Sequence, residues 1–231
     1  MPPPTNPGDI IVVGQRRREP TEPFPERPQI VTFEGMFDEL DPDLGLQPDP
    51  CADPAKALEW NADAAAAEAL QDILDTIAAQ NDSTHNLANR EYGAMICEHS
   101  DGTLSISPIQ WGDLTFDENG NWLNPGVQPT VDVNFNACGT GSLPLAMIHS
   151  HPGTGAGGGV PSASDVSWVG SINAARGDNL GRIYLVSIGD AETPYRIWVY
   201  DESNAEEASV SGEPGDEVNP DGQPCPGQVV T

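Results

Sequence analysis

His149 and His151 follow the apolar run Leu145–Ile148, in the order His149-Ser150-His151-Pro152. On a strand, positions i and i+2 share a face, so each imidazole can offer one nitrogen to a single ion. A glycine-rich stretch comes next, and then Ser162-Ala163-Ser164-Asp165. Asp165 is the only acid between His151 and Asp178, so it is the natural third ligand. Three nitrogen and oxygen ligands leave one position for water, which separates catalytic zinc sites from closed structural ones. Zinc lowers the pKa of such a water toward about 7. The chemistry open to this arrangement is metal-assisted hydrolysis.

Taken together, His149-x-His151-Pro152, Ser162-x-x-Asp165 and the upstream Glu91-x-Gly93 resemble the JAMM motif of the JAB/MPN metalloprotease family. The resemblance implies a mixed α/β fold, cytidine-deaminase-like, with a curved β-sheet flanked by helices. It implies Zn2+ held by His149, His151 and Asp165, and hydrolysis of a peptide or isopeptide bond in a protein or peptide substrate. It also implies that Glu91, at the start of a strand, is the general base, and that Ser162 donates to the oxyanion. A donor of that kind is worth about 2.7–4 kcal/mol of transition-state stabilisation. The branch most similar in appearance is bacterial, associated with secreted or polymorphic-toxin systems. One feature departs from the pattern. Thirteen residues separate His151 from Asp165, more than the family has, and the surplus falls in Gly153 to Gly159, where added length costs little closure entropy. It reads as a lengthened lip. Two other functions stay open: an MPN-like scaffold that binds a partner without metal, and an effector or toxin-associated processing domain.

The same residues have plainer uses. Ser162 and Asp165 are spaced as an N-cap and its N3 acid, a capping box ahead of a helix. Glu91 could be a solvent-facing carboxylate at a strand end. Glu98 competes for the general-base role but sits at a turn beside His99. Ser150 points away from its flanking histidines. His85 and His99 have no partners visible in sequence and are expected at the surface. The glycine run lacks the G-K-[ST] of a phosphate-binding loop.

Several elements must position these groups. Asp53-Pro54 is an N-cap followed by proline at the first helical position, and alanines carry a helix to about Gln80. Leu70, Ile73, Leu74 and Ile77 form its apolar stripe. Glu91 to Glu98 reads as a strand that turns at Ser100-Asp101-Gly102 into a second strand, Thr103 to Ile109. Val131 to Phe135 alternates with period two, as a half-buried strand does. Ser164 to Ala175 suits a helix closed by Arg176-Gly177. Gly181 to Ile188 and Tyr195 to Tyr200 read as paired strands around Gly189-Asp190.

The domain so defined spans residues 53–200. Residues 1–52 are a proline-rich tail and 201–231 an acidic tail without lysine or arginine, and both are expected to be disordered. Within the first tail, Ile10 to Val13 followed by Gly14 and Arg16 to Arg18 resembles the TonB-box-like stretches of some bacterial envelope proteins. It could add a strand to a partner protein's sheet, dock on the chain's own edge, or have no docking role at all. With 36 acidic against 9 basic residues the net charge is −27, which repels nucleic acid and anionic lipid. No run approaches the roughly 18–20 apolar residues of a membrane span, and no Sec-type leader is visible. The expected location is cytoplasmic, or outside the cell by a route that needs no cleaved signal. Cys51, Cys97, Cys138 and Cys225 show no C-x-x-C spacing. Free thiols are the expectation in a reducing compartment, with a Cys51–Cys225 bridge between the tails as the alternative.

Overall fold

The apolar run ahead of the histidines becomes the centre of a sheet. β4 (Ser142–Ser150) is buried from Pro144 onward, as an unbroken apolar run requires when both faces of a strand are covered. The computed structural model describes residues 49–117, 119–123, 130–152, 156–218, 223–226 and 230. β1 (Tyr92–His99) lies antiparallel to β4 on one side, and β5 (Arg182–Ile188) lies parallel to it on the other. β2 (Leu104–Ile106), β3 (Gln110–Trp111), β6 (Tyr195–Tyr200) and β7 (Asp216–Val218) complete seven strands. Their order is β2-β1-β4-β5-β6-β7, with β3 also paired to β1. The parallel β4–β5 pair needs a crossover, and α2 (Ala163–Arg176) provides it.

Two helices cover opposite faces. α1 (Pro54–Gln80) starts as its sequence dictates: the Asp53 side chain accepts from the Ala55 amide, Pro54 follows, and Asn81 closes the helix in the left-handed region at φ 48°. Leu70 and Ile73 are buried and Leu74 and Ile77 half-buried, so the expected stripe is present. Ala62, Ala65, Ala66 and Ala69 extend it toward the N-terminus and let the helix sit close on Ala94, Ile96, Ala146 and Ile148. On the other face, Val169 and Ile172 of α2 pack with Met95, Met147, Ile183 and Leu185. The mixed α/β class is therefore as expected, as are the Asp101-Gly102 turn and the β5–β6 pairing.

Four expectations fail. The strand after the turn ends at Ile106, because Pro108 has no N–H to continue a ladder; Ser107 makes the last bonds, its amide to the Met95 carbonyl and its hydroxyl from the Met95 amide. Val131 to Phe135 is not a strand. Its alternation is real, since Val133 is buried, but the segment lies over the sheet and ends in a 3-10 turn, Phe135–Cys138, capped by Asn134.

The acidic tail is not disordered over its described part. α3 (Ala205–Ser211) and β7 fold onto the body through Ala205, Ala208 and Val218, while the acids face water. The Trp60 indole donates to the Gln223 carbonyl, the Cys225 amide donates to Asn61 Oδ1, and Val230 bridges Leu104. Finally, the thiols are not free: the alternative Cys51–Cys225 bridge is present, and Cys97 pairs with Cys138. Average composition concealed the few apolar anchors of the tail, and sequence spacing cannot reveal which cysteines a fold brings within bonding distance. The Ile10–Arg18 segment lies outside the described residues. Among the described residues, no helix is long and apolar enough to cross a membrane.

Candidate metal centre

The two histidines and the aspartate meet where β4 ends and α2 begins. His149 is the penultimate residue of β4, and the His151 amide is tied to the Val186 carbonyl of β5 at 3.2 Å. Asp165 occupies the first turn of α2. His149 Nε2 lies 3.0 Å from His151 Nε2 and 3.2 Å from Asp165 Oδ1, and His151 Nε2 lies 3.3 Å from Asp165 Oδ2. A tetrahedral ion with bonds of about 2.0–2.1 Å sets its donors roughly 3.3–3.4 Å apart, so the three donors already span one face of such a polyhedron. The group could hold a metal ion. His149 Nδ1 is buried without a hydrogen-bond partner among the described residues, which leaves Nε2 as the ring's bonding atom.

Electrostatics favour the same assignment. Burial raises the Asp165 carboxyl, but hydrogen bonds and charge from His149 and His151 outweigh it and hold the group far below the usual carboxylate range. Burial works against a charged His149, yet Asp165 and then Glu91 pull its pKa above the ordinary imidazole value. Two carboxylates, Asp165 and Glu91, thus stand beside the two imidazoles.

Glu91 opens into the same cleft, immediately before β1, and is 7% exposed. Burial lifts its pKa, against the opposing pull of His149 and His151. A hydrogen bond from the Val131 backbone also holds the carboxylate. Glu98 is excluded as a rival, because it lies at the opposite end of β1 from Glu91 and pairs there with Arg176 at 2.8 Å. Ser150 does face away from the histidines. It is fully buried, and its hydroxyl accepts from the Tyr92 amide at 3.0 Å, pinning the residue next to Glu91.

Gly93 explains the small residue that follows the glutamate. It pairs with His149 across β1 and β4. A Cβ there would lie 2.8 Å from Val133 Cγ2, 2.9 Å from the Ile148 carbonyl oxygen and 3.1 Å from His149 Cβ. Backbone cannot yield cheaply, so Gly93→Ala is expected to cost about 1–3 kcal/mol and to weaken metal binding by shifting His149. Thermal unfolding together with a metal titration checks this; a variant with wild-type values in both would refute it.

Ser162 is brought to the cleft but is occupied there. It is the N-cap of α2 in a full capping box: its amide donates to Asp165 Oδ2 at 2.7 Å, and its hydroxyl faces the Asp165 amide at 3.4 Å and Ser164 Oγ at 2.7 Å. The expected lip is described only in part, since 153–155 lie outside the described residues. Its remainder, Ala156–Gly159, forms a 3-10 turn seated on β5 and β6, with the Gly159 carbonyl accepting from the Tyr200 hydroxyl. His85 and His99 are not solitary surface groups. His85 meets the Tyr92 hydroxyl at 3.1 Å, and His99 joins Ser105 and Ser142 across three strands.

The cleft has a volume of about 770 Å³ and aromatic walls that motif spacing could not reveal. Phe116 and Trp122 pair with ring centroids 5.8 Å apart, and Trp168 stacks on Phe135 at 5.6 Å. Comparisons with protein-family models, curated proteins and solved structures find no match to this chain.

Proposed function

We propose that this cleft is the active site of a metal-dependent hydrolase that cuts a peptide or isopeptide bond in a protein or peptide substrate. The observation that carries the reading is the convergence of His149, His151 and Asp165 beside the buried carboxylate of Glu91 in one open cleft. His149 Nε2, His151 Nε2 and an Asp165 oxygen would hold the ion, and this donor set suits zinc. When bound, the ion supplies Lewis acidity and a water activated near neutral pH.

The remaining work falls to the chain. Glu91 accepts a proton as the water oxygen bonds to the carbonyl carbon, and returns it to the amine as the C–N bond breaks. Burial raises the proton affinity of Glu91, which suits a group that must hold a proton between those two steps. Ser162 donates to the carbonyl oxygen as its charge develops, exchanging its contact with Ser164 for the substrate. The finer fold assignment, JAB/MPN-like, belongs to the same proposal. Its support is that Glu91, His149, His151, Ser162 and Asp165, drawn from the three motif fragments, line one cleft. Two disulfides favour an oxidising compartment, and hence export over residence in the cytoplasm.

Glu91→Gln tests the division of labour. Removal of a general base is expected to lower turnover of a pool of end-blocked fluorogenic peptides about 10²–10⁴-fold, with bound metal retained. Full activity in this variant would remove Glu91 from the mechanism.

A further inference from the structure

The charge and lining of the cleft specify its substrate further. From position 49 onward the basic residues are Lys56, Arg90, Arg176, Arg182 and Arg196, and none of them lines the cleft. The arginines are engaged elsewhere. Arg90 donates to the Thr84 and Gly112 carbonyls, Arg176 pairs with Glu98 and Asp178, Arg182 with Glu59, and Arg196 with Asp190 and Glu217. The carboxylates of the lining are Glu91 and Asp165, and Asp117 and Asp132 follow the lining residues Phe116 and Val131 in sequence. Among the described residues, the cleft thus lacks a lysine or arginine to receive a carboxylate, whether a substrate's C-terminus or an acidic side chain. The net charge of −27 over the whole chain draws positively charged molecules to the protein.

The walls add an apolar requirement. Phe116, Trp122, Met147 and Trp168 line the cleft, and Trp122 remains 40% exposed. Such rings offer a large face to an apolar side chain and attract cations to their π-surfaces.

Resting on the peptidase reading above, we infer that the substrate is a cationic peptide segment with an apolar side chain beside the scissile bond, cut internally and not at a free C-terminus. The Phe116–Trp122 wall is its specificity determinant, and the acidic field is its recruiter.

The test uses the full-length zinc-loaded protein and end-blocked octapeptides with a central phenylalanine. One set carries two arginines, one is neutral, and one carries two glutamates. A further cationic peptide ends in a free carboxylate one residue after the phenylalanine. Products are mapped by mass spectrometry. The expected kcat/KM for the cationic peptide exceeds that for the anionic one by on the order of tenfold or more, and the gap narrows as salt is raised. The carboxylate-ended peptide is a poor substrate. Phe116→Ala with Trp122→Ala raises KM at least about fivefold while kcat is kept, the signature of lost uniform binding. Cleavage that is blind to charge, prefers glutamate, releases C-terminal residues, or ignores the aromatic substitutions would overturn the inference alone. A protein that binds no zinc, or binds it and cuts no peptide, would overturn the peptidase reading and this inference with it.

Discussion

Replacing Cys51 and Cys225 by serine is expected to lower stability by up to roughly 5 kcal/mol. The two cysteines lie 174 residues apart, so their bond removes a very large loop from the freedom of the unfolded chain. It also anchors a segment with few other holds: the Cys225 amide on Asn61, the Trp60 indole on Gln223, and Val230 against Leu104. The Cys97–Cys138 bond closes a shorter separation of 41 residues, worth roughly 4 kcal/mol on the same basis, but it acts on the site. It fastens the 3-10 turn at the end of the segment that sends Val131 to Glu91 and Val133 over Gly93. Serine variants of the first pair should unfold earlier in denaturant with metal affinity kept. Variants of the second pair should lose both stability and metal affinity. Denaturation midpoints unchanged by either pair, or by reductant, would show that the bonds contribute nothing to the fold.

As proposed ligand and as the acid of a capping box, Asp165 carries two loads that substitution can separate. Asp165→Ala removes a ligand and the acid of the capping box together. Metal affinity is expected to fall by more than the roughly 10–100-fold typical of losing an outer-shell partner. Stability of the metal-free chain should fall by about 1 kcal/mol through the cap. Asp165→Asn keeps an oxygen for the Ser162 amide but loses the charge, so metal affinity should fall while the cap persists. Ser162→Ala should do the reverse, costing about 0.5–2 kcal/mol of stability with metal affinity intact. Metal titrations and thermal unfolding of the three variants check the scheme. If Ser162→Ala abolished metal binding, the capping and ligand roles would have to be reassigned.

The cluster of His149, His151 and Asp165 was legible because chemistry restricts it: two histidines of one parity on a buried strand, followed by one acid, leave few other placements. The β4–α2 junction was legible for the same reason, since Ser162 and Asp165 signal a helix start whatever else they do. Gly93 appeared in the sequence only as a small residue after a glutamate. Its reason, the near contact with the Ile148 carbonyl and His149 Cβ, exists only once β1 and β4 are in register. The aromatic wall was hidden because Phe116 and Trp122 sit in a loop whose bridge has no period to read. The C-terminal segment was misjudged because its acids dominate its composition while single residues, Ala205, Val218 and Cys225, decide its burial. Val131 and Val133 show the limit of alternation as a signal: it reports that one side of a segment is covered, and says nothing of whether its backbone is paired.

The most direct test of the central claim is elemental analysis of the purified full-length protein beside His149→Ala. About one zinc per wild-type chain is expected, either as purified or after incubation with the metal, and its loss in the variant. A wild-type protein that binds no zinc under either condition would contradict the metal centre and with it the proposed hydrolysis, leaving the cleft as a binding surface.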